Sequence, residues 1–451
     1  MKRIVLLVAA PAALMLAAGN PASAHPAPGY RCFFGNLHAH TRYSDGESTP
    51  DTAYAYARDV AGIHIQALTE HNNGGIGYSI TPANYQNLLL VADTITSPGR
   101  FVALAGQELG SIGSSGFGHL NVWETPGLWA YNNSDLLGCY SWLMAQRQPA
   151  MFNHPDSNWA SNFNDLYFYP DYDDAISLLE VVNHNTLYEN SYLRALAKGW
   201  HVGASANQDN HSRTWGTRTG SAGTALTGVW ADTLTKPAVL EALRSRRTFA
   251  MLCKPIGEKF QLSLTADGRW MGERYLRQPG RCTLQVTASS PDSIFSKLYL
   301  YRDGVIADST MPNLNVVSWR IELDAGIGSH YYFVKALQRG GGRGWTSPAF
   351  VEVAPKRDDD LVVTWPTPVA DQGARIAFTP LDGATRVTAE IFNLAGARVW
   401  RAVSADPAAS IRWDGRDAQG RPMPNGIYLI IVEQAGPAQT KTSKGKTMVS
   451  R

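Results

Sequence analysis

The residues best suited to chemistry gather at a few short places in the chain. The first is Gly35-Asn36-Leu37-His38-Ala39-His40-Thr41-Arg42-Tyr43-Ser44-Asp45-Gly46. It follows an apolar run, Cys32-Phe33-Phe34, that reads as the end of a buried strand. In extended backbone, residues at i and i+2 point to the same side, so the His38 and His40 rings converge. Two imidazoles at one strand end can hold a metal ion. A turn at Asp45-Gly46 can swing a carboxylate back to the same point.

The pattern recurs along the chain. Leu68 is followed by Thr69-Glu70-His71-Asn72, and Leu104-Ala105 by Gly106-Gln107-Glu108. Met151-Phe152 is followed by Asn153-His154-Pro155, and Ala204-Ser205 by Ala206-Asn207-Gln208-Asp209-Asn210-His211. In a parallel α/β barrel such strand ends share one face, where active sites form. Imidazole and carboxylate without thiolate suit zinc, manganese or iron, divalent ions held in a multinuclear site with a position left open to water.

The candidate metal ligands are therefore His38, His40, Asp45, His71, Glu108, His154, Asp209 and His211, with Glu108 placed to bridge two ions. His119, in Gly118-His119-Leu120, is a candidate general acid, ligand or supporting donor. Glu70 is a candidate partner that orients a ligand. Arg213 and Arg218 are candidates to hold a substrate anion. Glu180 faces the same barrel end without an assigned role. His64 reads as core packing, and His184 and His201 as loop or surface residues.

The elements that must position these groups alternate between 31 and 255. Apolar runs at Ile63–Leu68, Phe101–Ala105, Ala150–Phe152, Ile176–Val182 and Val202–Ser205 read as strands. Helical stretches follow, one with Thr49 as N-cap and Pro50 in the first turn, one from Tyr188 to Lys198, one starting near Pro237. This alternation predicts a parallel α/β domain. From 256 to 355 the pattern turns to short alternating strands with a hairpin turn at Asp303-Gly304, as in an immunoglobulin-like sandwich. A charged linker, Lys356–Asp360, leads to a second β domain over 361–451, whose stretch after Gln434 is polar and reads as a mobile tail.

Residues 1–24 have the form of a secretory signal peptide: Lys2 and Arg3, an apolar core, and Ala22-Ser23-Ala24 as cleavage site. No later run is apolar enough to span a bilayer, so the mature chain is expected to be secreted, periplasmic or at the cell surface. A net charge of +2 gives no support for a nucleic-acid-binding surface. The four cysteines are far apart, which leaves disulfides or plain buried thiols and disfavours a thiolate site. No Gly-x-Ser-x-Gly elbow and no His-Glu-x-x-His helix is present.

As a set, His38-x-His40-Thr41, Ser44-Asp45-Gly46, Thr69-Glu70-His71-Asn72, Glu108, Asn153-His154-Pro155 and Asp209-x-His211 resemble the polymerase and histidinol phosphatase (PHP) metallohydrolases. The resemblance covers about half the chain. It implies a distorted (β/α)7 barrel and phosphoester hydrolysis by a metal-activated water at a two- or three-metal centre. Glu70 departs from the family, which often has Asp there. Ser245–Ala250 and Gly344–Pro348 resemble segments of an exported branch with enzymes similar to carbaryl hydrolase. That implies a carbamate or carboxylester as the alternative substrate.

Phe392–Gly396, Trp413–Asp417, Gly420 and Pro424–Tyr428, with a hairpin turn read at Asn425-Gly426, are similar to immunoglobulin-like end domains of exported bacterial proteins, some of hook-cap type. These serve as secretion tails or surface-attachment modules, or only as stabilising sandwiches. The expectation is thus an exported metal-dependent hydrolase of a small-molecule ester, a phosphoesterase first. The alternative from another class is a non-catalytic surface-binding module.

Overall fold

The computed structural model describes residues 29–450 apart from 74–77, 113–115, 131–133, 157–161, 218–223, 255–257, 355–360, 371–372, 382, 406–409 and 438. The leader at 1–24, the boundary at 255 and Arg218 lie outside the described residues.

The first domain is built on ten strands: β1 (Arg31–Asn36), β2 (Ile65–Asn72), β3 (Val102–Ser111), β4 (Gly118–Trp123), β5 (Ala150–Phe152), β6 (Leu178–Asn183), β7 (Thr186–Leu187), β8 (Gly203–Asn207), β9 (Thr224–Ala231) and β10 (Thr248–Cys253). β1, β2 and β3 pair in parallel, as do β5, β6 and β8. β4 runs antiparallel between β3 and β5, and β9 runs antiparallel to β1. β10 pairs antiparallel with β9, and β7 antiparallel with β6, so seven of these strands share one direction and β4, β7 and β9 oppose it, which is the distortion expected of this α/β barrel. β8 meets β9 through side chains: Thr227 Oγ1 accepts from Ala206 N (3.0 Å) and donates to Ala206 O (2.9 Å).

β2 to β6 and β8 to β10 are almost wholly buried, because helices cover them outside and side chains fill them inside. The helix Pro50–Asp59 follows the expected Thr49-Pro50 start and buries Ala53, Tyr54 and Ala57, one stripe at helical spacing. Helices at Glu189–Lys198 and Lys236–Arg244 also form where the sequence placed them. Pro82–Ile95 and Leu136–Gln146 complete the longer helices.

The sheet does not stop at the end of the α/β region. β10 pairs antiparallel with the strand Arg343–Thr346, Met251 opposite Gly344. Beside it, Ser347 Oγ accepts from Ala204 N (2.9 Å), and Thr248 Oγ1 donates to Ala204 O (2.8 Å). Strands of the second domain therefore extend the barrel sheet, and a four-stranded antiparallel sheet packs against them through Leu262, Leu264, Leu284 and Val286. The Asp303-Gly304 hairpin turn is present, joining Phe295–Arg302 to Val305–Thr310.

The last domain is a seven-stranded sheet with its own core around Ile376, Ile391, Trp413, Ile430 and Val432. Two expectations are corrected here. The segment read as a mobile tail is the strand Thr440–Val449, paired with Gly426–Ala435 on one side and Leu361–Ala370 on the other. Its inward positions include Ser443 and Thr447, so a polar composition hid an ordinary alternation. Asn425-Gly426 is not a hairpin turn: Ser410–Trp413 and Gly426–Ala435 are not partners, and Gly426 opens a strand.

His201 lies in the loop before β8, as expected, and is held there: its ring packs edge-on to Phe350 and its Nδ1 lies 2.7 Å from Asp173 Oδ2. Asp173 also takes the His201 backbone N–H (3.1 Å) and Arg274 (2.9 Å), while Arg246 reaches His201 O and Asp174. His64 packs edge-on to Phe33 as expected, and His184 is exposed. All four cysteines are free thiols. Among the described residues, no helix is long and apolar enough to cross a membrane.

Candidate metal centre

His38 and His40 emerge just beyond β1, and His71, Glu108, His154 and Asp209 come from the ends of β2, β3, β5 and β8. His119 lies near the start of β4, which opposes β3, so its start stands at the same mouth. Backbone contacts close the ring: His40 N donates to Asn210 O (2.9 Å) and Asp209 N to His38 O (3.0 Å). Two of these residues hold left-handed backbone, His154 at φ 29° and Asp209 at φ 48°. That conformation is costly for side chains with a Cβ and concentrates at functional sites.

Glu108 is the hub, buried to 1% exposure. Its Oε1 lies 3.2 Å from His38 Nε2, 3.1 Å from His119 Nδ1 and 3.5 Å from His154 Nε2. Its Oε2 lies 2.9 Å from His71 Nδ1 and 3.4 Å from His40 Nε2. Asp209 Oδ1 stands 3.1 Å from His40 Nε2 and 3.4 Å from His38 Nε2. Asp45 bridges the outer histidines, 3.2 Å from His211 Nε2 and 3.5 Å from His71 Nε2. The loop carrying Asp45 is tight: a Cβ on Gly46 would sit 2.6 Å from the His40 carbonyl carbon.

Glu70 fastens that loop. Its carboxylate accepts from Thr41 N (3.0 Å), Thr41 Oγ1 (2.5 Å) and Ser44 Oγ (2.5 Å). Burial pushes its pKa up to about 7 against the pull of these donors. Glu180 has no role assignable from its place in the sequence, and its position in the fold supplies one. His38 Nδ1 (3.0 Å) and Asn207 Nδ2 (3.0 Å) meet its Oε1, while His154 N (2.8 Å) and Asn183 Nδ2 (2.8 Å) meet its Oε2. Four donors on two oxygens fill the acceptor capacity of the carboxylate. Burial opposes charge on His38, but Asp209, Glu108 and Glu180 hold its pKa well above the ordinary value. A cation that displaced the Nε2 proton would find Nδ1–H given to Glu180 and the Nε2 lone pair aimed toward Glu108 and Asp209. The only sequence signal was an acid inside a buried strand.

The electrostatics follow from crowding. Burial opposes charge throughout. For Glu108 and Asp209 the surrounding histidines win and hold both carboxyls well below the usual range. Burial also lowers His71, but Glu108 and Asp45 raise it further, to about 10. For His40 burial prevails and the pKa falls to about 4.

Three sets of side chains bring ligand atoms within 4.8 Å of one another: His38, His40 and Asp209; His71, Glu108 and His119; and His40, Asp45, His71 and His211. The first two share no residue, so the chain offers two independent three-ligand sets, with a third that borrows from both. Fit to a cation is visible in the donors themselves. Glu108 Oε2 and His71 Nδ1, 2.9 Å apart, are buried and lack any hydrogen-bond partner among the described residues. Such groups are costly unless an ion satisfies them. Arg213 is not part of this cluster: it is 72% exposed and pairs with Glu47 at 3.1 Å.

Comparison with known proteins adds the following. Residues 366–437 match the family model of the FlgD Ig-like domain. No curated protein matches the chain. Among solved structures, it is similar to a two-domain protein of Bacteroides vulgatus containing a predicted PHP-like metal-dependent phosphoesterase. That match has 18% identity and a TM-score of 0.41, and covers 72% of this chain and 97% of the other. It is also similar to dimeric latent PorU from Porphyromonas gingivalis (14% identity, 42% and 20% covered, TM-score 0.17). A third is the fibronectin(III)-like modules of Clostridium thermocellum CbhA (16% identity, 42% and 94% covered, TM-score 0.17).

Proposed function

We propose that this chain is an exported, metal-dependent hydrolase of small-molecule esters, with a phosphoester as first substrate class. One observation carries the reading: Glu108 and five histidines, from five strands in all, converge with ring nitrogens and carboxylate oxygens facing one another. A hydrogen-bonded core has no use for that arrangement, and a multinuclear centre does. Divalent ions held there supply Lewis acidity and a nucleophilic water at neutral pH.

The residues then divide the work. His38, His40 and Asp209 form one set of ligands, and His71, Glu108 and His119 or Asp45 and His211 complete the others. Glu180 keeps His38 in one tautomer and Glu70 keeps the Asp45 loop in place. Where His119 is not a ligand, it is the candidate to return a proton to the leaving oxygen, its Nδ1 lying 3.1 Å from Glu108 Oε1. Export is supported by the leader-like residues 1–24 and by the FlgD Ig-like match, a domain type that fits a secretion or attachment role.

The test is elemental analysis of the purified mature protein beside hydrolysis of a phosphodiester, a phosphomonoester and an aryl carbamate. Two or three equivalents of metal with phosphoester turnover is the expected result. Metal with carbamate or carboxylester turnover alone moves the chemistry to the second substrate class. Neither metal nor turnover after reconstitution rejects the hydrolase in favour of a binding module.

A further inference from the structure

The last domain carries an exposed face whose chemistry is graded from one end to the other. Its strands Arg398–Ser404, Arg386–Phe392, Gly426–Ala435 and Thr440–Val449 lie side by side in that order. Register fixes the rows across them. At the outer end stand Leu394, on the hairpin turn after Phe392, then Ile427 opposite Met448. One step in, Arg398, Phe392, Leu429 and Lys446 form a row. The next holds Arg401, Glu390, Ile431 and Lys444, and the one after that Val403, Thr388, Glu433 and Thr442.

The order along the strands is thus apolar, then apolar flanked by cations, then polar with an acid. Successive rows on one face lie about 7 Å apart, and the cations on the two outer strands about 14 Å apart. The apolar end is open: Leu394 is 71% exposed, Ile427 49%, Met448 43% and Leu429 39%. On one flank, Arg398 and Arg401 share the single Glu390. On the other, Lys444 and Lys446 have no acidic partner among the described residues. The domain as a whole, 361–451, holds eleven basic and seven acidic residues, a larger surplus than the +2 of the entire chain.

We propose that this face docks the protein on a lipid surface bearing anionic headgroups. An interface of that kind is itself graded: acyl chains, then negative headgroups, then water. Apolar side chains at the tip enter the first layer, and long Lys and Arg side chains reach the second. A soluble acidic partner would account for the cations but not for apolar residues standing furthest out on the tip. The sheet order supports the placement, since the opposite edge faces the rest of the molecule through Arg375 and Glu352, 3.5 Å apart. The proposal is independent of the hydrolase reading.

The test is co-sedimentation of the full mature chain with vesicles of phosphatidylcholine alone or mixed with phosphatidylglycerol, with circular dichroism confirming the fold of each variant. Binding is expected only with phosphatidylglycerol and should fall with salt. Lys444→Gln with Lys446→Gln should weaken it about thirty-fold, at roughly 1 kcal/mol per basic residue. Leu394→Ser with Ile427→Ser should weaken vesicle binding further, and Arg281→Gln in the middle domain should leave it unchanged. Equal binding to neutral vesicles, or indifference to both double variants, overturns the proposal. So does binding to soluble poly-glutamate as tight as to vesicles, which would assign the face to an acidic macromolecule.

Discussion

The barrel holds buried charge at both ends, built in opposite ways. Asp173, His201 and Arg246 precede β6, β8 and β10, at the N-terminal ends of strands running in the common direction. There the Asp173 oxygens receive a backbone N–H, an imidazole and an arginine, so the cluster closes on itself. At the mouth, acceptors and ring nitrogens face one another, and Glu108 Oε2 and His71 Nδ1 are left without a hydrogen bond. Burial and charge are similar in both places. What differs is whether the chain supplies its own counter-donors, and that separates a cluster that holds the fold from one arranged for a cation.

The contrast is most sharply broken at its hub. Glu108→Ala or Asp209→Ala should lower turnover by about three orders of magnitude or more and remove bound metal, the scale expected when metal stabilisation of the transition state is lost. Glu108→Ala should also cost the metal-free fold the part of its stability linked to the His71 proton, so metal stoichiometry is the readout here, and metal retained in both variants would place the mouth with the floor. Asp173→Ala should do the reverse. Removing one partner of a buried pair costs about 3–5 kcal/mol, read from the unfolding midpoint, with metal stoichiometry unchanged.

Glu180 tests the link between mouth and scaffold. In Glu180→Gln one acceptor oxygen becomes an NH2 that must meet another donor, so metal affinity measured by competition with a chelator should drop about 10–100-fold. Wild-type affinity in that variant removes Glu180 from the centre. A pH experiment comes next. His71 without metal has its pKa raised to about 10, from about 6.5 when unfolded. Its proton therefore stabilises the metal-free fold fully below about 6.5, and that contribution fades as pH rises through 10. Metal must displace this proton, so loading should release protons and tighten with rising pH, seen by calorimetry in buffers of different ionisation heat. The smallest effect is expected at Arg213→Ala: within about 0.5 kcal/mol in both stability and kcat/KM. A large loss of kcat/KM would restore it as a substrate contact.

Much of the mouth was legible in the sequence because each ligand follows a buried strand within a few residues. His38-x-His40 needed only the two-residue period of extended chain, and Asp209-x-His211 the same offset. Glu180 was not legible in role, since its four donors come from β1, β5, β6 and β8 and meet only in the folded barrel. His201 was legible as a loop residue, but not its tie to the floor, since Asp173 and Phe350 are distant in sequence. Arg213 stands apart from the ligand cluster: proximity in sequence to His211 does not turn it inward, and it pairs with Glu47. The strand Thr440–Val449 was missed because Ser443, Gly445 and Thr447 occupy positions where periodicity looks for large apolar residues.

The antiparallel pairing of β10 with Arg343–Thr346, and the Ser347 contact with β8, have a consequence in time. As the chain is made, every metal-type residue has emerged before β10 does, yet the edge of β10 waits for a strand some ninety residues downstream. At ordinary synthesis rates that is roughly five to twenty seconds in which an apolar strand has no neighbour on one side. The donors can be present long before the barrel edge that frames them is sealed. A chain truncated near 255 would meet that delay permanently, and such a fragment is expected to aggregate instead of remaining a soluble, metal-binding barrel.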